Sequence, residues 1–194
     1  LAACASSRPY NVANARLPVP LPVVVLDSRS GVVARELSTS RIGTELLPGG
    51  GTAPRLTEDA VPLAHQLVNH LKALRPRDAE LLREHEVLPS AEPSVARAAA
   101  APREPDEQLG LLFVVHVWDS MVVGKVRTLR HDLTLEVIDG GKRVVASSRT
   151  SGNGEVSYEE LPANEELFAK LLDDPAVAAA LARVQPPRGD DSQP

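Results

Sequence analysis

Leu111-Leu112-Phe113-Val114-Val115-His116-Val117-Trp118 is the stretch that decides the fold. It is apolar on both sides of an extended chain, which is typical of a strand covered on both faces. We therefore expect a central strand here. On a regular strand His116 and Trp118 share one face and Asp119 lies on the other. These three side chains suggest a site, but we favour a tryptophan packed beneath a helix, with the polar groups marking the strand end.

The residues that follow predict an antiparallel meander. Val126 to Ile138 alternates between apolar and polar side chains, as a half-buried strand does. Asp139-Gly140-Gly141-Lys142 is typical of a hairpin turn, and Val144 to Ser148 begins the returning strand. Ser151-Gly152-Asn153-Gly154 is expected to end it.

Upstream, the run Val23-Val24-Val25-Leu26 predicts a short, buried first strand. Val32-Val33-Ala34 and Ile42-Gly43-Thr44 are candidate strand pieces. Pro48-Gly49-Gly50-Gly51 predicts a loop. Because it lacks the Lys-Ser/Thr ending of a phosphate-binding loop, we expect no nucleotide site there.

A helix is predicted over Leu56–Leu74, where apolar residues recur at helical spacing and Thr57 can cap the start. His65 and His70 lie on this helix, but metal-binding pairs on a helix are normally four residues apart, so we expect no metal site from them. A second, short helix is predicted over Asp78–Leu88.

A last helix is predicted to begin at Asn164 as its cap and to pack through Leu167, Leu171 and Leu172. Asp174-Pro175 should interrupt it before it resumes as far as Val184. The predicted fold class is α+β. A small mixed or antiparallel sheet, made of the short first strand and the three-strand meander, is packed by two main helices and preceded by an extended tether.

Composition excludes several classes of function. The net charge of −5 argues against a nucleic-acid partner, since phosphate binding needs clustered lysine and arginine. One cysteine permits no internal disulfide. The chain has no Gly-x-Ser-x-Gly and no His-Glu-x-x-His motif. We therefore expect no enzymatic activity, and no catalytic, cofactor-binding or metal-binding residue.

The first residues, Leu1-Ala2-Ala3-Cys4, carry the single cysteine. An aliphatic and two small residues before a cysteine resemble the lipobox of bacterial lipoproteins, which implies lipid attachment at Cys4 and a signal-peptide remnant at residues 1–3. A lone cysteine is more often a small buried hydrophobe or an inert thiol. Because no apolar periodicity surrounds Cys4, we favour lipidation.

The predicted domain organisation follows from composition. Residues 4–22 form a lipidated, proline-rich tether, because Pro18, Pro20 and Pro22 favour extended chain. Residues 23–184 form a single α+β domain with a mobile, alanine- and proline-rich insertion at about 89–108, which could hold a little helix. Residues 185–194 are predicted to be a disordered tail.

Together with the lipobox, Val23-Val24-Val25-Leu26-Asp27-Ser28-Arg29 and Arg41-Ile42-Gly43-Thr44 resemble the YajG-type family of Gram-negative outer-membrane lipoproteins. The resemblance implies a protein held on the membrane through lipidated Cys4 and facing the periplasm. Ala5-Ser6 favours the outer membrane, because the inner-membrane retention signal usually has aspartate next to the cysteine. The family has no settled activity, so the resemblance implies location and architecture only.

Three function classes remain open. The first is an interaction or scaffolding module with an envelope protein partner, its oligomeric state open. The second is an accessory subunit that binds lipid or glycan in an envelope transport or assembly complex, and the third is an enzyme of unrecognised class. An apolar cavity favours the second, whereas a filled core and an exposed sheet edge favour the first.

Overall fold

The computed structural model describes residues 17–18, 20–156 and 160–183, without the side chains of 160–164. Cys4, most of the predicted tether and the tail at 185–194 lie outside the described residues. Seven strands alternate with five helices in this part of the chain. The strands are β1 Leu21–Asp27, β2 Arg41–Leu46, β3 Thr52–Leu56, β4 Leu82–Glu84, β5 Leu109–Val123, β6 Val126–Asp139 and β7 Val144–Val156. The helices are α1 Ser30–Val33, α2 Leu63–Leu74, α3 Pro93–Ala100, α4 Glu160–Leu172 and α5 Pro175–Ala182.

All seven strands belong to one mixed sheet, and β5 is its central strand, as predicted. The predicted meander is present, since β6 pairs antiparallel with β5 and β7 pairs antiparallel with β6. The opposite edge of β5 is shared by two strands placed end to end. β1 runs parallel to its first half and β2 runs parallel to its second half. β4 adds in parallel to β1, and β3 adds antiparallel to β2. The α+β fold class is therefore confirmed.

The two faces of the sheet are covered unequally. Helices α2, α4 and α5 cover one face, where Phe113 of β5 meets Phe168 of α4 edge-on with ring centroids 5.4 Å apart. On the other face α3 covers β1 and the first half of β5, and its Ala96 and Ala100 are fully buried. This close approach needs glycine at position 110, because a Cβ there would lie 1.7 Å from the Ala100 carbonyl oxygen.

A β-bulge in β5 changes which of its side chains share a face of the sheet. Val115 is opposite Leu133 and Val117 is opposite Asp132, so His116 is the extra residue of a β-bulge. The bulge reverses the alternation, so that Trp118 packs in the main core while His116 points to the α3 side. The prediction that His116 and Trp118 share a face was therefore wrong. Trp118 does pack into the helix-covered core, as favoured.

Two upstream predictions were also wrong. Val32 and Val33 belong to the single turn α1, where Val32 is buried, because tertiary packing overrides the β propensity of valine. Helix α2 begins at Leu63 rather than Leu56. Pro62 disfavours helical backbone at Val61, which is extended, and Thr57 donates its hydroxyl to the Val61 carbonyl instead of capping α2. The predicted strand piece Ile42-Gly43-Thr44 and the loop at 48–51 are confirmed.

The segment Asp78–Leu88 is not the predicted helix. A short 3-10 turn at Ala79–Leu81 leads directly into β4, which pairs with β1 and buries Leu82 completely. Tertiary pairing overrides local helix propensity here. Within the predicted insertion, the alanine-rich helix exists as α3. Its predicted mobility and the other domain limits stay predictions, although β1 begins at Leu21, two residues earlier than expected.

The C-terminal half follows the predicted pattern with shifted limits. β7 does not end at Ser151 but continues to Val156, because Gly152 leaves room for the His131 ring on β6. Helix α4 begins at Glu160, so Asn164 lies within it. Asp174 caps α5 by accepting hydrogen bonds from the backbone N–H groups of Ala176 and Val177. Within the described residues we find no helix with the length and apolar character needed to span a bilayer.

Candidate functional site

Along the edge of β5, a buried ion pair lies between the end of β1 and the start of β2. Strands β1 and β2 pair with β5 up to Val115 and from Ser120 respectively, which leaves residues 116–119 between them. Arg29 fills this gap. Its Nε and Nη2 lie 2.8 and 2.7 Å from the two carboxylate oxygens of Asp27, and Nη2 also donates to the Thr39 carbonyl at 3.1 Å. This pair joins the two halves of the sheet.

A small cavity opens beside this junction on the helix-covered face. Its volume is about 130 Å³, and it lies between the start of α2 and the carboxyl ends of the parallel strands β1 and β4. Ligand crevices in open parallel sheets form at such strand ends. The residues that line it include Val25, Asp27, Thr39, His65, Glu84 and Glu86.

Three of these lining residues form a cluster with metal-ligand chemistry. His65, Glu84 and Glu86 each present one ligand atom, and the three atoms lie within 4.8 Å of one another. His65 Nδ1 is 2.9 Å from Glu84 Oε1, and Lys72 Nζ is 3.8 Å from Glu84 Oε2. His65 was not predicted to bind a metal, because a second ligand was expected four residues away on the same helix. The partners come instead from β4 and the residues after it.

A wider groove lies on the opposite face, beside α3. It has a volume of about 560 Å³ and an apolar floor that includes Leu26, Leu112 and Val114. His116 stands at one end, with Nε2 3.0 Å from Thr134 Oγ1 and Nδ1 3.4 Å from Ser28 Oγ. The Ser28 hydroxyl donates to the Val115 carbonyl at 3.0 Å, so it is engaged with the backbone rather than poised as a nucleophile. This geometry suits ligand binding better than acyl transfer.

The part of the same sheet face beyond α3 is exposed. We call it the open face and define it by Leu46, Met121, Val123 and Val126. Leu46 on β2, Val123 on β5 and Val126 on β6 are direct cross-strand neighbours and form one apolar row. Met121, the most exposed of the four at 54%, shares the Val123 side of β5. Exposed apolar side chains that adjoin one another mark an interaction surface more often than single exposed apolar side chains do.

Charges of both signs border the open face. Asp119 on β5 and Arg130 on β6 are direct cross-strand neighbours at its inner boundary. Glu155 on β7 faces Thr128, the neighbour of Met121. Lys125 lies in the exposed turn between β5 and β6. The surface therefore combines an apolar row with charges of both signs.

Two further groups, Glu107 and His131, have a lowered pKa. Burial acts to raise the pKa of Glu107, but hydrogen bonds from the backbone N–H groups of Arg103 and Glu104 and from Arg83 outweigh it and lower the pKa. Burial lowers the pKa of His131, and within the described residues neither of its ring nitrogens has a hydrogen-bond partner. Glu107 links the loop after α3 to β4 by accepting hydrogen bonds from both. His131 lies beside Gly152 of β7 and faces α4. Neither group lies at the cavity or the groove.

Comparisons with known proteins place these features in a wider context. Neither a family model nor a curated protein matches the chain. Its fold is similar to that of a Xanthomonas campestris protein assigned to the family model DUF330, at 15% identity over 84% of this chain and 82% of that one, with a TM-score of 0.40. It is also similar to PelC, a dodecamer from Paraburkholderia phytofirmans, at 18% identity over 82% and 89% of the chains, with a TM-score of 0.40. Lipoprotein GNA1162 from Neisseria meningitidis aligns at 10% identity over 85% and 100%, with a TM-score of 0.30. A bacterial lipoprotein is thus among its structural neighbours, while the YajG-type resemblance stays a prediction.

Proposed function

We propose that this chain is a lipid-anchored lipoprotein of the bacterial envelope that acts as an interaction module without chemistry of its own. Lipidation of Cys4 would hold it at the outer membrane, facing the periplasm. The open face is its contact surface for a protein partner. The observation that carries this proposal is the in-register apolar row Leu46, Val123 and Val126 on an exposed part of the sheet.

The chemistry of the open face restricts the partner. An apolar row bordered by Asp119, Arg130, Lys125 and Glu155 carries charges of both signs. Such a surface complements a protein that presents apolar side chains with both positive and negative charges at their rim. We therefore expect neither a strongly basic or acidic protein nor an anionic lipid surface to bind the open face.

Photo-crosslinking in living cells tests this proposal. A photoreactive amino acid replaces Met121 in the full-length, membrane-attached protein, and a second protein carries it at Val95. Val95 is matched in exposure, at 55% against 54%, but lies on α3. We expect a discrete adduct with one other protein from position 121, absent from position 95, and lost when Val123→Glu is added. Adducts to a second copy alone, to lipid, or equally from both positions would contradict the proposal.

The groove beside α3 favours a second candidate function, an accessory subunit that binds lipid or glycan. Its floor of Leu26, Leu112 and Val114 could hold an acyl chain, and Ser28, His116 and Thr134 place polar atoms at one end of it. Native mass spectrometry of the detergent-extracted protein distinguishes this candidate function from the interaction module. A bound lipid or sugar that is lost in Val33→Trp, which narrows the groove, would support the second candidate.

A further inference from the structure

We propose that His65, Glu84 and Glu86 bind one divalent transition-metal ion at the mouth of the small cavity, and that Zn²⁺ fits their chemistry best. One imidazole and two carboxylates are zinc ligands, and three protein ligands with an open position form a common zinc arrangement. The inference does not depend on the proposed function of the open face, which lies on the other side of the sheet.

The distances within the cluster suit this ion. Zinc–nitrogen and zinc–oxygen bonds of about 2.0–2.2 Å place the ligand atoms of a tetrahedral site about 3.3–3.6 Å apart. The three ligand atoms already lie within 4.8 Å of one another, and His65 Nδ1 and Glu84 Oε1 are 2.9 Å apart. Small side-chain rotations therefore complete the site without any movement of the backbone.

The backbone holds the three ligands in place from two directions. Glu84 ends β4, and the following residue, His85, donates its N–H to the Val23 carbonyl at 2.9 Å. This bond keeps the chain extended between Glu84 and Glu86, so both carboxylates reach the same side. His65 lies in the first turn of α2, which is fixed by the Leu63 N–H donating to the Thr39 carbonyl at 3.0 Å.

The charges of the cluster also favour a cation. Glu84 and Glu86 bring two carboxylates into a small volume, where their repulsion is unfavourable. Lys72 contacts Oε2 of Glu84, which leaves Oε1 directed to His65. Asp27 lines the same cavity, but both of its oxygens are bound by Arg29, so we do not count it as a ligand. A Zn²⁺ ion with a neutral imidazole would neutralise the two glutamates.

A simple ion-pair network is the competing explanation. His65, Glu84 and Lys72 could form this network by themselves, and Glu86 would then take no part. Glu86→Gln is consequently the decisive variant. It is an exposed position, and the change leaves the other contacts of the cluster in place, so the fold should survive.

Isothermal titration of chelator-treated full-length protein with ZnCl₂ tests the inference. We expect one Zn²⁺ per chain, a higher Tm with zinc, and at least about tenfold weaker binding in His65→Ala, Glu84→Gln and Glu86→Gln, since even outer-shell changes cost about 10–100-fold. His70→Gln, on the same helix, and Glu80→Gln, on the adjacent turn, are the matched controls and should bind as the parent does.

When Co²⁺ replaces Zn²⁺, the visible spectrum shows which types of ligand atom bind the ion. A visible spectrum of tetrahedral nitrogen and oxygen coordination is expected, without the near-ultraviolet thiolate band that ligation by Cys4 would produce. Unchanged zinc affinity in Glu86→Gln, no measurable zinc binding by the parent protein, or a thiolate band would each overturn the inference.

Discussion

Arg29 turns back onto Asp27, two residues earlier in the chain, and binds both of its carboxylate oxygens where the sheet passes from β1 to β2. The side chains are 8% and 3% exposed. The same guanidinium donates to the carbonyls of Thr39 and Arg41, which lie just before and at the start of β2. This pair is therefore part of the framework on which the cavity and the open face are built.

Arg29→Met should leave the Asp27 carboxylate buried without its partner. Breaking a buried pair in this way costs about 3–5 kcal/mol, and we expect a decrease of that size in the free energy of unfolding, measured by urea denaturation. The control is Arg143→Met, which breaks the pair of Arg143 with Asp139 at an exposed hairpin and should change stability little. Equal effects of the two substitutions would contradict a framework role for Arg29.

Trp118→Ala should create a cavity between β5 and the helices. Trp118 is 5% exposed in the main core, and truncation of a buried tryptophan costs about 3–5 kcal/mol. Met121→Ala, three residues later on the open face, removes an exposed side chain and should leave the urea midpoint nearly unchanged. If Trp118→Ala left stability intact while abolishing partner binding, Trp118 would be a contact residue instead.

Gly110→Ala should displace α3. The added Cβ would lie 1.7 Å from the Ala100 carbonyl oxygen, and overpacking of this kind costs about 1–3 kcal/mol. Hydrogen exchange should show faster exchange of the α3 amides than in the parent. Gly154→Ala is the control, because Gly154 is also in a strand but no atom of the described residues lies within 4 Å of its added Cβ. Unaltered exchange in Gly110→Ala would show that α3 does not depend on this close approach.

Cys4→Ser tests the anchor. We expect the protein to leave the membrane fraction and to keep its unfolding transition, because two or more acyl chains supply stable anchoring and the core of the described part of the chain is formed by residues 17–181. Fractionation followed by immunoblotting measures the first effect, and circular dichroism measures the second. Membrane attachment that persists in Cys4→Ser would contradict the lipoprotein interpretation.

The elements that could be predicted from the sequence carry local signals. The strand around Phe113, the hairpin at Asp139–Lys142 and the break at Asp174 each follow from a few adjacent residues. β4 could not be predicted, because Leu82-Arg83-Glu84 becomes a strand only by pairing with β1. No feature of the sequence predicts the β-bulge at His116 either.

The candidate sites show the same limit. The cluster joins His65 to two glutamates that lie 19 and 21 positions later, and only the packing of α2 against β1 and β4 brings them together. The i, i+2 spacing of the two glutamates was the available signal, but it has meaning only on an extended chain. The open face depends on the alternation after the bulge, so it could not be predicted from the sequence that Met121 is exposed and Val122 is buried.

His131 makes the stability of the domain depend on pH. It lies on β6 between Trp118 on β5 and Gly152 on β7, with Lys170 and Glu166 of α4 and its neighbour Asp132 as the charges around it. Burial is the main cause of its lowered pKa, and the Lys170 ammonium acts in the same direction. The carboxylates of Asp132 and Glu166 oppose this shift without reversing it.

His131→Phe should therefore flatten the pH dependence. Below the ordinary pKa of 6.5 the unfolded chain binds a proton that the folded chain does not, so the free energy of unfolding falls as the pH falls from 6.5 towards the lowered pKa. Asp132 and Glu107 act at lower pH, because their ordinary values are 3.8 and 4.5 and both are lowered. Urea denaturation between about pH 7 and pH 5 measures the slope, with His70→Gln as the control. A slope that survives in His131→Phe would assign it to another group.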